Sequence, residues 1–170
     1  IIQFRNQLPF TDKGVMDSGW KLQYDKYNDQ ERYTPLNGDT AGAVAVTDQT
    51  SEPWMSPAAY TRGQVRNLIS LAYNPSMRSE RDNLYRNAIN PVVTLSGQGT
   101  RLYGDKTLLG KPSYFSQIGV RRLFDYLESR IEALADQKLF EQNDEFTRQS
   151  FVSAVEPLLR SVRGRRGITD

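Results

Sequence analysis

The residue types able to do chemistry are few, and the missing ones narrow the choice first. The 170-residue sequence contains neither Cys nor His. That excludes disulfides, iron–sulfur clusters, zinc fingers, thiol nucleophiles, the Ser-His-Asp triad and the usual general base near neutral pH. Any catalysis would rest on Asp, Glu, Lys, Tyr, Ser or Arg. Gly104–Lys111, GDKTLLGK, superficially resembles a Walker A phosphate loop. Five residues separate its glycines instead of four, and Pro112 stands where a Mg²⁺-binding Ser or Thr belongs. It also follows a hairpin strand and leads into another loop, not into a helix N-terminus that could hold phosphate. A structured loop is the better reading. The Gly97-Gln98-Gly99 turn lacks the third glycine of a dinucleotide fingerprint.

Carboxylates cluster at Asp25, Asp29 and Glu31 and again at Asp144-Glu145, but neither group has the alternation and terminal bidentate Glu of a calcium loop. They read as solvated turn residues and helix-dipole partners, so no cofactor and no metal is expected. Nine Tyr, seven Phe and two Trp could furnish a base-stacking platform. Phe124, Phe146 and Phe151 fall on or near apolar helix faces, however, which favours core packing. Arg160, Arg163, Arg165 and Arg166 occur within seven residues with no acid between them. Two readings stand for them: pairing with the C-terminal dipole of a helix, and a stripe that docks on an acidic partner.

Composition sets the frame. Lys+Arg is 22 against Asp+Glu 20, a net charge of +2, which argues against bulk-charge binding to nucleic acid or an anionic membrane. With 38% hydrophobic and 25% charged residues the chain is globular on the polar side. No apolar run approaches the roughly 18 to 20 residues that cross a bilayer, and no signal-peptide pattern is read. The opening Ile1-Ile2 in place of Met leads us to expect a processed product or an excised fragment.

The elements that must position these residues follow from spacing. Residues 1–19 read as an irregular lead-in, or a short strand plus turn. Trp20, Leu22 and Tyr24 alternate with Lys21 and Gln23 as a half-buried strand, and the polar stretch 25–39 is expected to cross the surface. The small-residue run from Gly38 to Thr47 predicts a tightly packed helix capped by Asn37 or Asp39. A loop with a Trp54-Met55 anchor follows. Val65 to Leu71 fits a strand or a helical turn. Asn74-Pro75 supplies an N-cap and first-turn proline for a helix whose inner face is Met77, Leu84, Tyr85 and Ala88. A hairpin joins Val92–Leu95 to Arg101–Tyr103 through a glycine turn. Val120, Leu123, Phe124, Leu127, Ile131 and Leu134 mark the clearest helix. The last helix starts near Asn143, with Phe151, Val152, Val155, Leu158, Leu159 and Val162 as its core face and Pro157 kinking or dividing it. Composition and spacing alone give a mixed α and β domain with no visible active site.

The motif order carries more. INPVVTLSGQGTRLYGDKT, then SQIGVRRLFDYLESRIE, then LFEQNDEFTRQSFVSAVEPLL, resembles the C-terminal conserved domain of contractile phage tail sheath proteins. Upstream, YDKYND, GDTAGAVAVTD, WMSPA and RGQ resemble the same family and its T-even-like branch. The resemblance spans about Trp20 to Gly167. It implies an α+β (mixed α/β) fold, with a small β-sheet packed against several helices, and a structural role without catalysis. Such subunits stack in rings around an inner tail tube and contract to drive it through the host envelope. The implied partners are further sheath subunits, the tail tube protein, and baseplate and tail terminator proteins, with no nucleic acid and no membrane contact by this domain. The implied location is the contractile tail of the virion, assembled in the host cytoplasm.

Residue by residue, the resemblance implies that Gly97, Gly99 and Gly104 permit tight turns. Tyr103 packs, and Asp105 holds its loop by accepting backbone hydrogen bonds. Arg121 and Arg122 have a compensating acid such as Asp125 or one from a neighbouring chain, and Asn143 and Arg148 cap and pair at the start of the last helix. Arg160, Arg163, Arg165 and Arg166 become candidate tube contacts. The expected organisation is a lead-in at 1–19 and the tube-facing inner domain at 20–170. Since the family continues past this helix into a strand and an arm, the chain is expected to be part of a longer subunit. Two alternatives remain: a sheath component of an R-type bacteriocin or secretion system, and a basic nucleic-acid-binding module.

Overall fold

The computed structural model describes residues 1–168. The chain forms two compact units, Ile1–Arg121 and Arg122–Asp170. In the first unit, β1 (Trp20–Asp25) and β2 (Gln30–Pro35) make an antiparallel hairpin, with Trp20 opposite Pro35 and Asp25 opposite Gln30. The short β3 (Ser70–Leu71) pairs antiparallel on the other side of β1, giving the order β2-β1-β3. The hairpin corrects the expectation that 25–39 merely crosses the surface. The turn chemistry is concentrated in one place: Asp25 Oδ1 accepts the Tyr27 N–H at 3.0 Å, its Oδ2 accepts the Asn28 amide at 2.7 Å, and Asp29 takes φ +50°. Such an Asx turn reverses the chain and leaves the residues after it free to pair.

β1 has the expected period of two, but with its faces exchanged. Lys21 is buried, whereas Trp20 is 52% exposed and Tyr24 is exposed too. Alternation identifies two faces without saying which is covered. Here the buried face takes a lysine because Asp39 meets it.

α2 (Asn37–Thr50) follows directly on β2. Neither expected residue caps it: the N-cap is Leu36, the Asn37 side chain bonds the Gly38 N–H, and Asp39 is engaged by Lys21. The loop to β3 is anchored by buried Trp54, as its sequence suggests, and only Ser70–Leu71 of the ambiguous 65–71 stretch is strand. α3 (Arg78–Arg86) begins later than Asn74-Pro75 predicts. Asn74 instead bonds Thr94, accepting its N–H at 3.0 Å, and Glu80 reaches back to the Met77 N–H at 3.2 Å. Leu84 and Ala88 are buried as expected, while Met77 faces solvent.

β4 (Val92–Leu95) and β5 (Gly99–Leu102) form the expected hairpin, with Val92 opposite Leu102 and Leu95 opposite Gly99. Buried Leu36, Val65, Val92 and Leu102 make the core, with Ala58, Leu68 and Leu71 packed against them. Each of the four buried side chains contributes about 1.5–3 kcal/mol of transfer free energy.

The lead-in is neither irregular nor strand at its start: α1 (Ile2–Gln7) is a helix. Its Arg5 is buried, stacks over Phe10 and donates to the Leu108 carbonyl at 2.7 Å. A local reading of residues 1–19 misses this because the stabilising partner is 103 residues away.

α4 (Ile118–Asp136) follows the spacing read from the sequence, with Leu123 buried and Phe124 more exposed than expected. Gly119 sits where an added Cβ would lie 2.5 Å from the Trp54 carbonyl oxygen, so no side chain fits there. α5 (Glu145–Gly164) runs unbroken through Pro157, which removes division into two pieces from the two outcomes expected there, a kink or a division. Its N-cap is Asp144, which accepts the Thr147 N–H at 2.8 Å, rather than Asn143. Val162 is fully buried, while Val152 and Leu159 of the expected core face are exposed.

Candidate interaction surfaces

The hairpin turn places Gly97 and Gly99 at φ +71° and +73°, a region L side chains rarely adopt. Gly104 has a different reason to be small: an added Cβ would lie 2.8 Å from Asn90 Oδ1 and 3.1 Å from the Asn90 Cα. Asn90 is wholly buried and ties three segments together. Its Nδ2 donates to the carbonyls of Met16 at 3.1 Å and Lys106 at 2.8 Å, and its Oδ1 accepts the Lys106 N–H at 2.7 Å. The expectation gave Asp105 the task of holding this loop through backbone N–H groups. The observed contact is different: Asp105 accepts from the Tyr85 hydroxyl at 3.1 Å, and its carbonyl accepts the Ile118 N–H. Burial, followed by the Asp105 charge and that hydrogen bond, pushes the Tyr85 hydroxyl up to about 12.

Tyr103 is half-exposed rather than packed away, and it belongs to a ladder of alternating rings and guanidiniums. The Arg101 guanidinium lies 5.2 Å from the Tyr60 ring centroid and 5.4 Å from that of Tyr103, which also has Arg81 at 5.4 Å. Lys106 stands 4.2 Å from the centroid of Tyr85. Tyr60, Arg81, Tyr85, Arg101 and Tyr103 border a cleft of about 480 Å³ with Ala58, Ala59 and Pro91 in its wall. Arg81 is held by the carbonyls of Pro75 and Ser76, and Arg101 by Gln98 Oε1 at 2.7 Å. Neither arginine pairs with a carboxylate among the described residues. Planar, weakly hydrated guanidiniums on rings are suited to bidentate recognition of a carboxylate.

Arg121, in the first turn of α4 where the dipole disfavours a cation, has Asp12 Oδ2 at 3.4 Å, an acid 109 residues back in the sequence. Both side chains are largely shielded, so the pair is less screened than a surface one. Arg122 lies half-buried on the next position. Asn143 and Arg148 do pair, with Arg148 Nε donating to Asn143 Oδ1 at 2.9 Å.

On α5, half-buried Phe151, Val155 and Leu158 lead to buried Val162 along one face. Arg160 and Arg163, three residues apart, project from the other side and are exposed. Arg160 forms an exposed ion pair with Glu156 one turn back at 2.6 Å, a contact worth about 0.3–0.5 kcal/mol. Arg165 bonds Ser161, through the carbonyl at 3.4 Å and Oγ at 3.2 Å. Arg166 sits at φ +62° while the N–H groups of Arg166 and Gly167 return to the carbonyls of Arg163 and Val162 at 2.9 Å each. That is a Schellman ending, with arginine in the left-handed position that glycine usually fills.

Sequence reasoning missed Asn90, Tyr60 and Arg81. The Asn-Pro pair at 90–91 is a local turn signal, but the ladder joins residues up to 43 positions apart, Tyr60 to Tyr103, and no spacing rule reports it. No group of three or more His, Cys, Asp or Glu side chains able to hold a metal occurs among the described residues, and no helix among them is long and apolar enough to cross a membrane.

Comparison with known proteins identifies the family. Residues 10–108 match the family described as phage tail sheath protein central domain. The chain is 49% identical over 160 residues to the tail sheath protein of Vibrio phage KVP40, covering 94% of this chain and 24% of that protein. It is 47% identical to the tail sheath protein of Enterobacteria phage T4, covering 91% and 23%, in agreement with the T-even-like branch read from the motifs. Among solved structures, the PVC sheath complex of an extracellular contractile injection system, in the contracted state, aligns with TM-score 0.83 at 23% identity, over 99% of this chain and 45% of that one. The chain thus spans about a quarter of the length of these curated relatives. It belongs to the phage tail sheath protein family.

Proposed function

We propose that this chain is part of a contractile phage tail sheath subunit. The subunit polymerises in stacked rings around the inner tail tube and contracts to drive that tube through the host envelope. The observation that carries the reading is near-50% identity across almost the whole chain to proteins named tail sheath protein. Residues 20–170 are the tube-facing inner domain, and Arg160, Arg163, Arg165 and Arg166 are its contacts with an acidic tube surface. Their support is geometric: Arg160 and Arg163 share the exposed side of α5, away from buried Val162. The other partners are neighbouring subunits, the baseplate and the tail terminator. The site is the virion tail, assembled in the host cytoplasm. No catalytic step is assigned. Contraction exchanges many weak contacts for better ones, starting from a metastable extended assembly.

The structural likeness to an injection-system sheath supports a second reading, a sheath of such a machine. The much higher identity to phage proteins favours the first. Electron microscopy of the full-length subunit tests both, since either reading expects tubules. Arg160→Glu with Arg163→Glu should impair assembly on purified tubes while circular dichroism stays unchanged. Unchanged sheath length and yield would remove the tube-docking assignment.

A further inference from the structure

Two exposed features have complementary chemistry. One is the cleft bordered by the Tyr60–Arg101–Tyr103–Arg81 ladder. Its volume of about 480 Å³ falls within the roughly 300–1,000 Å³ typical of occupied sites. The cleft's own acids are already engaged: Asp105 accepts from Tyr85, and Asp82 lies 3.7 Å from Arg78. Arg101 adds an unmet demand, because its Nε is shut off from solvent without a hydrogen-bond partner.

The other feature is the connection between α4 and α5. Phe140 is 99% exposed and Phe146 82%, with Leu139 also outward. Phe140 is held at φ +69°, unfavourable for a bulky residue, so the chain spends conformational strain in presenting an apolar ring to solvent. Glu141 and Glu145 flank these rings, are exposed, and enter no ion pair among the described residues. Large outward apolar side chains rimmed by charge mark a docking surface.

We propose that Phe140 and Glu141 of one copy dock into the arginine–tyrosine cleft of a second copy. The phenyl ring lies against the tyrosines and the Ala58-Ala59 wall, and the Glu141 carboxylate bridges Arg101 and Arg81. Charge complementarity commits the cleft to this acidic and aromatic segment, and the proposal rests on the sheath reading only in making a second copy available. The contact is between side chains, so it sets which neighbour is engaged and in what register.

The absence of cysteine from the chain allows a direct test. Chains carrying Ala59→Cys and chains carrying Gln142→Cys are mixed and oxidised, with Ser153→Cys replacing Gln142→Cys as control. The expected result is an intermolecular disulfide between the first two and little with the control. Adding Arg101→Glu to one chain, or Glu141→Arg to the other, should lower the yield about tenfold through like-charge contact. Combining the two reversed chains should restore it, which a folding defect would not do. Yield no better than the control, absence of rescue, or a disulfide formed only within a chain carrying both cysteines would each overturn the proposal. Tubule formation by the full-length subunit is scored separately. Normal tubules with no cross-link leave the sheath reading standing and remove this contact, whereas no tubules from the unaltered subunit count against the sheath reading itself.

Discussion

Lys21 Nζ lies 2.8 Å from Asp39 Oδ1, with the lysine side chain 7% exposed and the aspartate 21% exposed. The pair joins the buried face of β1 to the first turn of α2, and Lys21 gains a second acceptor in the Arg66 carbonyl at 3.2 Å. The two ions are not equivalent. Lysine is the one that cannot regain water if its partner is lost.

Asp39→Ala should therefore be the more harmful change, at about 3 kcal/mol, because it strands a buried ammonium. Lys21→Met keeps the volume and leaves a carboxylate with access to solvent, so about 1 kcal/mol is expected. Urea unfolding midpoints of the two variants check the order. Equal losses would mean that burial of the lysine does not matter.

Asn90→Ala removes one acceptor and one amide that together satisfy Lys106 and Met16 in a site closed to water. Each stranded buried group costs about 1–3 kcal/mol, so a total loss of about 3 kcal/mol or more is expected. Asn90→Asp retains the acceptor but buries a charge facing two carbonyls. It should be at least as destabilising at neutral pH, with partial recovery in acid as the carboxyl protonates. Denaturation at two pH values distinguishes the variants.

Gly104→Ala and Gly97→Ala should separate crowding from backbone preference. At Gly104 the new Cβ meets Asn90 and Pro91 at 2.8–3.1 Å, for a cost of about 2–3 kcal/mol. At Gly97 nothing lies within 4 Å, and only the left-handed φ resists, for about 1 kcal/mol. Gly97→Asn should recover much of that loss, since asparagine tolerates this region; Gly104→Asn should recover none.

Asp17 provides a pH test. Burial pushes its carboxyl above the ordinary value of 3.8, a rise opposed by bonds from the Gly19 N–H and the Thr40 hydroxyl and reinforced by Asp39. A carboxyl with a raised folded pKa favours the folded state below its unfolded pKa, and that contribution is lost as pH rises through the folded value. Relative to Asp17→Asn, the native chain should lose stability from pH 3.8 upward until the folded-state carboxyl has ionised. Unfolding midpoints across pH 3 to 7 would show this; a difference independent of pH would contradict it.

Several elements were legible because their signals are local. The hairpin at Val92–Leu102 announces itself through two glycines that alone take positive φ without strain, and α4 and α5 through apolar spacing. β2 was not, because its residues Gln30–Pro35 are nearly all exposed and polar, and pairing with β1 is what makes them a strand. The inverted face of β1 had the same origin: periodicity cannot say that a lysine goes inward when its counter-ion lies 18 residues ahead.

The sequence by itself determined the class of the protein. A chain bearing these co-linear turn and helix motifs is recognisable as a sheath-family domain. Only the tertiary structure decided where contact can occur. The arginine–tyrosine ladder, the Asn90 hub and the Asp12 partner of Arg121 each join residues far apart in sequence. Local spacing encodes backbone conformation within a few residues. Charge pairing and exposure are properties of the folded surface, and they exist only once distant segments have been brought together.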